Sequence, residues 1–168
     1  MRKIKFPPFL KPLFLGICIG IFIKFFVSDF LVVRGSSMEP VLHDGETIMV
    51  NKLAYGLTKP FGSSLLLSWS KPKKGEIIAF LYNNHLVVKR CVAVENTLLE
   101  YSTESGYTLK IQDKEYPLTE LQYNLLKETT FVPSGTVLAI GDNFQHSIDS
   151  RTYGFVPVTN ILGRVKAE

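Results

Sequence analysis

Three short segments carry side chains that together suit attack on an amide carbonyl. The first is Gly35-Ser36-Ser37-Met38-Glu39-Pro40, a turn-forming stretch that places the Ser37 hydroxyl between a glycine and a proline. A serine hydroxyl is a weak nucleophile until a neighbouring base takes its proton. The chain has three histidines, His43, His85 and His146, and none stands where it clearly pairs with Ser37 and an acid. Distant pairing stays open. The second segment, His85-Leu86-Val87-Val88-Lys89-Arg90, offers another base. Alternation along a strand sends Lys89 and Arg90 to opposite faces, so one cation turns inward unless the strand is bulged. A lysine held among apolar groups moves toward its neutral form, as a general base requires, whereas an arginine stays charged. The competing reading of a Lys-Arg pair is a solvated sheet edge. The third segment runs from Gly141-Asp142-Asn143 to Ser147-Ile148-Asp149-Ser150-Arg151. It reads either as a loop capped by its own Asp and Asn side chains or as a support for the base. In the second case Ser147 hydrogen-bonds the lysine amine, and Asp149 is kept occupied by Arg151.

These groups need a scaffold that brings distant segments together. Short β-rich runs bounded by turn residues predict strands over 29–34, 46–52, 76–82, 85–94, 107–111, 136–140 and 161–166, with Asn83-Asn84 as a hairpin turn. Only 118–128 reads as a helix. The outer domain, 29–168, is therefore expected to be mainly β, as a coiled sheet or partly closed barrel. Residues 55–72 form a long connection with Phe61, Leu65-Leu66-Leu67 and Trp69. Either they fill the core or they rest on a membrane with Trp69 at headgroup depth.

The charge distribution points to a bilayer. The chain carries a net charge of +4 over 168 residues, and all of that excess lies in residues 1–33. Arg2, Lys3, Lys5, Lys11 and Lys24 stand there against Asp29 alone. Such a basic end beside an apolar run gives no reason to expect nucleic acid. From Pro12 to Val33 the run is long enough to span a hydrocarbon core. Asp29 places the end of the span near 28, giving a basic N-terminus over 1–11, an anchor over 12–28 and the outer domain after it. The basic residues in front predict a cytoplasmic N-terminus and an outer domain on the opposite side. A cleaved secretory signal is the rival reading, but the bulky exit Ser28–Val33 offers no small-x-small site. Two cysteines, Cys18 and Cys91, stand too far apart in character for a disulfide scaffold. Without histidine companions they give no zinc site, so neither metal nor cofactor is expected.

With these residues in view, the chain resembles bacterial type I signal peptidase, the serine–lysine family that removes signal peptides from exported proteins. The likeness covers most of 10–165. It includes the anchor, Gly-x-Ser-Met-x-Pro at 35–40, the Asp44-Gly45 turn, Lys52 to Gly56, the 75–90 hairpin, and Gly141-Asp142-Asn143 through Asp149-Ser150-Arg151. The resemblance implies Ser37 as nucleophile, Lys89 as general base, Ser147 as the residue that orients the lysine, and Asp149, Arg151 and Asp142 as structural supports. It also implies an extended substrate paired with open strand edges, its small residues seated against Val33, Met38, Val87 and Val88. The Ser37 amide would serve as oxyanion donor. Signal peptides of exported preproteins, membrane lipid and transient contact with the secretion translocon are the implied partners, at a bacterial inner membrane with the catalytic domain outside.

Some positions depart from the family pattern. Val92-Ala93-Val94-Glu95-Asn96-Thr97 replaces a Gly-x-Pro-Gly-Asp turn, Phe144-Gln145-His146 replaces Arg-Asp-Asn, and Val41 stands where threonine is common. A specialised peptidase for a restricted secreted or conjugation substrate, or an inactive polypeptide-binding relative, are the alternatives these changes leave.

Overall fold

The computed structural model describes residues 7, 9–59, 64–104 and 106–166. Arg2, Lys3 and Lys5 of the basic N-terminus, and Phe61 of the long connection, lie outside the described residues. Helix α1 spans Leu10–Phe22 and holds Pro12 in its first turn, where a missing N–H costs no intrahelical bond. It continues as a wider π-turn over Ile23–Val27, closed by Ser28 N–H donating to the Ile23 carbonyl. The 18 residues Leu10–Val27 have a mean hydropathy of 2.1, and none is buried within the protein. Strand β1, Ser28–Val32, begins at the next residue with no linker between.

β1 pairs with β2, Thr47–Asn51. A small antiparallel pair follows, β3 at Gly56–Thr58 and β4 at Leu65–Ser68. Gly56 is required there, because a Cβ would collide with the Leu67 carbonyl oxygen. Strands β5, Ile77–Tyr82, and β6, His85–Val94, form the expected hairpin. Its Asn83 and Asn84 both adopt positive φ, as a tight two-residue hairpin turn demands. Strands β7 (Glu100–Ser102), β8 (Thr108–Ile111) and β9 (Lys114–Pro117) make a separate three-stranded sheet. Helix α2, Glu120–Leu126, starts at a capping box between Thr119 and Gln122. After it come β10 (Thr136–Ile140), the one-turn α3 (Ser150–Tyr153), β11 (Val156–Pro157) and β12 (Ile161–Lys166).

The main sheet has seven strands in the order β1-β2-β12-β5-β6-β10-β11, and the described pairings within it are antiparallel. The mainly β expectation is borne out. Among the described residues the sheet does not close into a full barrel, because β1 and β11 remain as separate edges. One apolar cluster, including Met38, Leu42, Ile48 and Val50, lies beneath the 35–40 turn. A second joins the three-stranded sheet to Val92 and Ala93 of β6 and to Leu138 and Ile140 of β10. The 55–72 connection resolves its two readings residue by residue. Leu65 packs against a third cluster, whereas Leu66, Leu67 and Trp69 are each more than half exposed.

Candidate active site

The turn that carries Ser37 is built by its own sequence and clamped from outside. Gly35 has φ +84 with open space around it, so glycine is needed for backbone conformation rather than close approach. Its N–H donates to Asp44 Oδ1 at 2.7 Å. Glu39 N–H closes the turn onto the Ser36 carbonyl, while the Met38 side chain, 1% exposed, fixes it to the core. Asn143 then holds it from the far loop. Its side-chain amide donates to the Ser36 carbonyl and its backbone N–H to the Ser37 carbonyl, both at 3.1 Å.

Strand alternation decides between the two cations of β6. Lys89 turns inward and is 5% exposed. Its Nζ lies 2.7 Å from Ser37 Oγ. Burial lowers its pKa from the ordinary lysine value, and the negative charges of Asp149 and Asp142 oppose that shift without overcoming it. Arg90 faces the other way and forms a two-pronged ion pair with Asp142, Nε to Oδ1 and Nη2 to Oδ2, each 2.7 Å. The solvated-edge reading therefore fits neither residue.

The 141–151 loop is fastened by one buried ion pair. Asp149 is wholly buried and accepts from Arg151 Nε and Nη2 at 2.9 Å, as well as from the backbone N–H groups of Gly141 and Arg151. Arg151 also donates to the carbonyls of Pro117 and Phe144, which ties the loop to β9. Asp149 thus points at arginine, as expected, and not at the lysine amine. Ser147 differs from expectation. Its hydroxyl is buried near the dyad yet has no hydrogen-bond partner among the described residues. The lysine amine is turned to Ser37 instead, and Ser147 Oγ faces the α-carbon of Gly141. Gly141 is a site residue that its sequence context did not reveal. A Cβ there would strike both Ser147 Oγ and the Ser37 carbonyl oxygen.

Ser37 and Lys89 open onto a groove of about 530 Å³, and Val33, Met38, Val87 and Val88 all line it. One wall is the edge strand β1 and its continuation; the other is the first half of β6. From His85 to Lys89, β6 pairs with β5 alone, and β10 joins its other side only from Arg90 onward. The groove therefore has open strand edge along its length and ends at the dyad. Among the described residues no cluster of His, Cys, Asp and Glu has the grouping needed for a metal.

Comparison with known proteins identifies the family. The chain matches the family Peptidase S26, signal peptidase, over residues 8–168, and it belongs to that family. It is 30% identical over 173 aligned positions to signal peptidase IB of Staphylococcus aureus, covering 90% of this chain and 84% of that protein. It is also 30% identical over 156 positions to the chloroplastic thylakoidal processing peptidase 1 of Arabidopsis thaliana, covering 92% of this chain. The chain spans 45% of that plant protein's length. A crystal structure of a signal peptidase I from Enterococcus faecalis V583 aligns at 27% identity and a TM-score of 0.42, covering 59% of this chain and all of the other.

Proposed function

We propose that this chain is a membrane-anchored serine endopeptidase that removes N-terminal signal peptides by a Ser37/Lys89 dyad. The single observation that carries the reading is a buried lysine amine 2.7 Å from a turn-held serine hydroxyl at the end of an open strand groove. An extended precursor adds to the free edges of β1 and β6 by backbone hydrogen bonds, and its small residues seat against Val33, Met38, Val87 and Val88. Neutral Lys89 takes the Ser37 proton as Oγ bonds to the scissile carbonyl carbon, and the Ser37 backbone N–H stabilises the oxyanion. The lysine proton then passes to the leaving amine as the peptide bond breaks. In the second half the same amine takes a proton from water, whose oxygen attacks the ester, and Ser37 leaves with its proton restored. Ser147, whose buried hydroxyl has no partner while Lys89 is turned to Ser37, takes up the lysine amine once Ser37 is acylated, and Asp142, Asp149 and Arg151 hold the surrounding loop.

The helix through Val27 anchors the chain in the bacterial inner membrane with its N-terminus in the cytoplasm. The domain from 29 onward works outside, where it meets precursors emerging from the translocon. No metal or cofactor enters this scheme. The test uses purified full-length protein in detergent and a precursor with an Ala-x-Ala site. Ser37→Ala and Lys89→Arg are each expected to lose at least about 10⁴-fold in turnover, since a charged guanidinium cannot accept the proton. Turnover by either variant near the wild-type rate overturns the assignment of that residue.

A further inference from the structure

Lys52 belongs to the segment from Lys52 to Gly56 that the peptidase chemistry leaves unused. Its neighbours have local duties. Tyr55 donates its hydroxyl to Glu76 at 2.8 Å, and Gly56 permits the close β3–β4 approach. Lys52 reaches elsewhere. Its Nζ donates to the Lys24 carbonyl at 3.0 Å and lies 3.1 Å from Asp29 Oδ2. The π-turn ends with Ser28 N–H on the Ile23 carbonyl, so the Lys24 carbonyl is the first one left over at the helix terminus. A cation is favourably placed at such an end. Asp29 lies on β1, opposite Val50 of β2, and Lys52 follows β2 directly. One ammonium therefore fastens the last helical turn, the first groove strand and the second strand to each other.

The consequence is geometric. β1 starts at the residue after the helix and runs into Val33, which lines the groove. From Ser28 to Val33 an extended chain advances about 17 Å. With no linker at the junction, the chain path from the end of the helix to the substrate groove has a fixed length. We infer that Lys52 is a positioning residue that makes the anchor a ruler, selecting precursors by the spacing between their apolar segment and the scissile bond. The inference rests on reading the helix as a membrane anchor and the groove as the cleavage site. A precursor whose apolar helix ends at the same depth must cover the same length in extended form, which takes about five residues.

Two measurements on full-length protein in phosphatidylglycerol/phosphatidylethanolamine vesicles test this. The first places one nitroxide on Cys18, exposed on the helix, and another on Lys110→Cys, exposed on β8, with native Cys91 buried and unlabelled. The distance distribution is expected to be narrow in wild type, broad in Lys52→Met, and narrow again in Lys52→Arg. The second compares precursors with the apolar segment two, five and eight residues from the scissile bond, alongside a water-soluble peptide carrying the same site. Wild type is expected to favour the matched precursor by about tenfold, because small misplacements of reacting groups are costly. Lys52→Met should flatten that profile to within about twofold through KM, with soluble-peptide turnover unchanged. An unaltered distance distribution, an unaltered spacing profile, or an equal loss on every substrate including the soluble peptide overturns the inference. Absence of cleavage by wild type would instead strike the peptidase reading, and the distance measurement would still decide the clamp.

Discussion

At the level of single residues, the fold keeps one lysine, Lys89, dry. Because burial lowers the Lys89 pKa, there is a window between that lowered value and the ordinary one of about 10.4. Across it the unfolded chain holds a proton that the folded chain has released. Stability therefore rises with pH through the window. Lys89→Met removes this titration, so the variant is expected to be more stable than wild type at neutral pH. The gain should be greatest below the lowered value and fade as pH nears 10.4. Thermal unfolding of both proteins as a function of pH checks this; a gain that does not vary with pH contradicts it. The inward turn of Lys89 was legible from the sequence, because period-two alternation forces Lys89 and Arg90 apart and only one of them can titrate usefully. Ser147 was legible as a nearby hydroxyl but not as an unpartnered one, since hydrogen-bond partners depend on loop placement. Gly141 was illegible: its need for a missing side chain comes from Ser37 and Ser147, and Ser37 is more than a hundred residues away in sequence.

At the scale of elements, the 141–151 loop is the piece that must be rigid, and its rigidity comes from a fully buried ion pair. Replacing Arg151 by alanine leaves the Asp149 carboxylate buried with only backbone donors. The expected cost is about 3–5 kcal/mol, read from chemical denaturation. Arg90→Ala is expected to cost clearly less, because the Arg90–Asp142 pair is partly exposed and water can replace the lost partner. Equal losses for the two variants would refute the view that Asp149–Arg151 is the main fastening. The long strands and a helix over 118–128 could be read from sequence, because apolar alternation and glycine turns are local signals, whereas the Thr119–Gln122 box that starts the helix emerges only in the structure. Strands β3, β4, β7, β9 and β11 were not anticipated. They have two to four residues each, too few for alternation to register, and pairing with a neighbour is what defines them.

For the whole molecule, the proposed work at a lipid surface draws on the apolar helix, the β3–β4 pair and the groove. Leu66, Leu67 and Trp69 are each more than half exposed and close in sequence, an apolar surface suited to a lipid interface. Full-length protein with Leu66→Ser and Trp69→Ser is expected to keep its turnover of a soluble peptide. It should lose about tenfold in cleaving a vesicle-embedded precursor as two interfacial side chains leave the bilayer. Unchanged cleavage of the embedded precursor would assign those residues no part in membrane contact. The proposed mechanism requires that Ser37 itself becomes acylated with Lys89 as the base. The most direct measurement is rapid acid quench of full-length enzyme with excess Ala-x-Ala precursor, followed by intact mass and peptide mapping. A transient adduct equal in mass to the signal-peptide acyl group is expected on the peptide containing Ser37 and is absent from Ser37→Ala. An adduct on another residue, or product formation by Ser37→Ala at the wild-type rate, would contradict it.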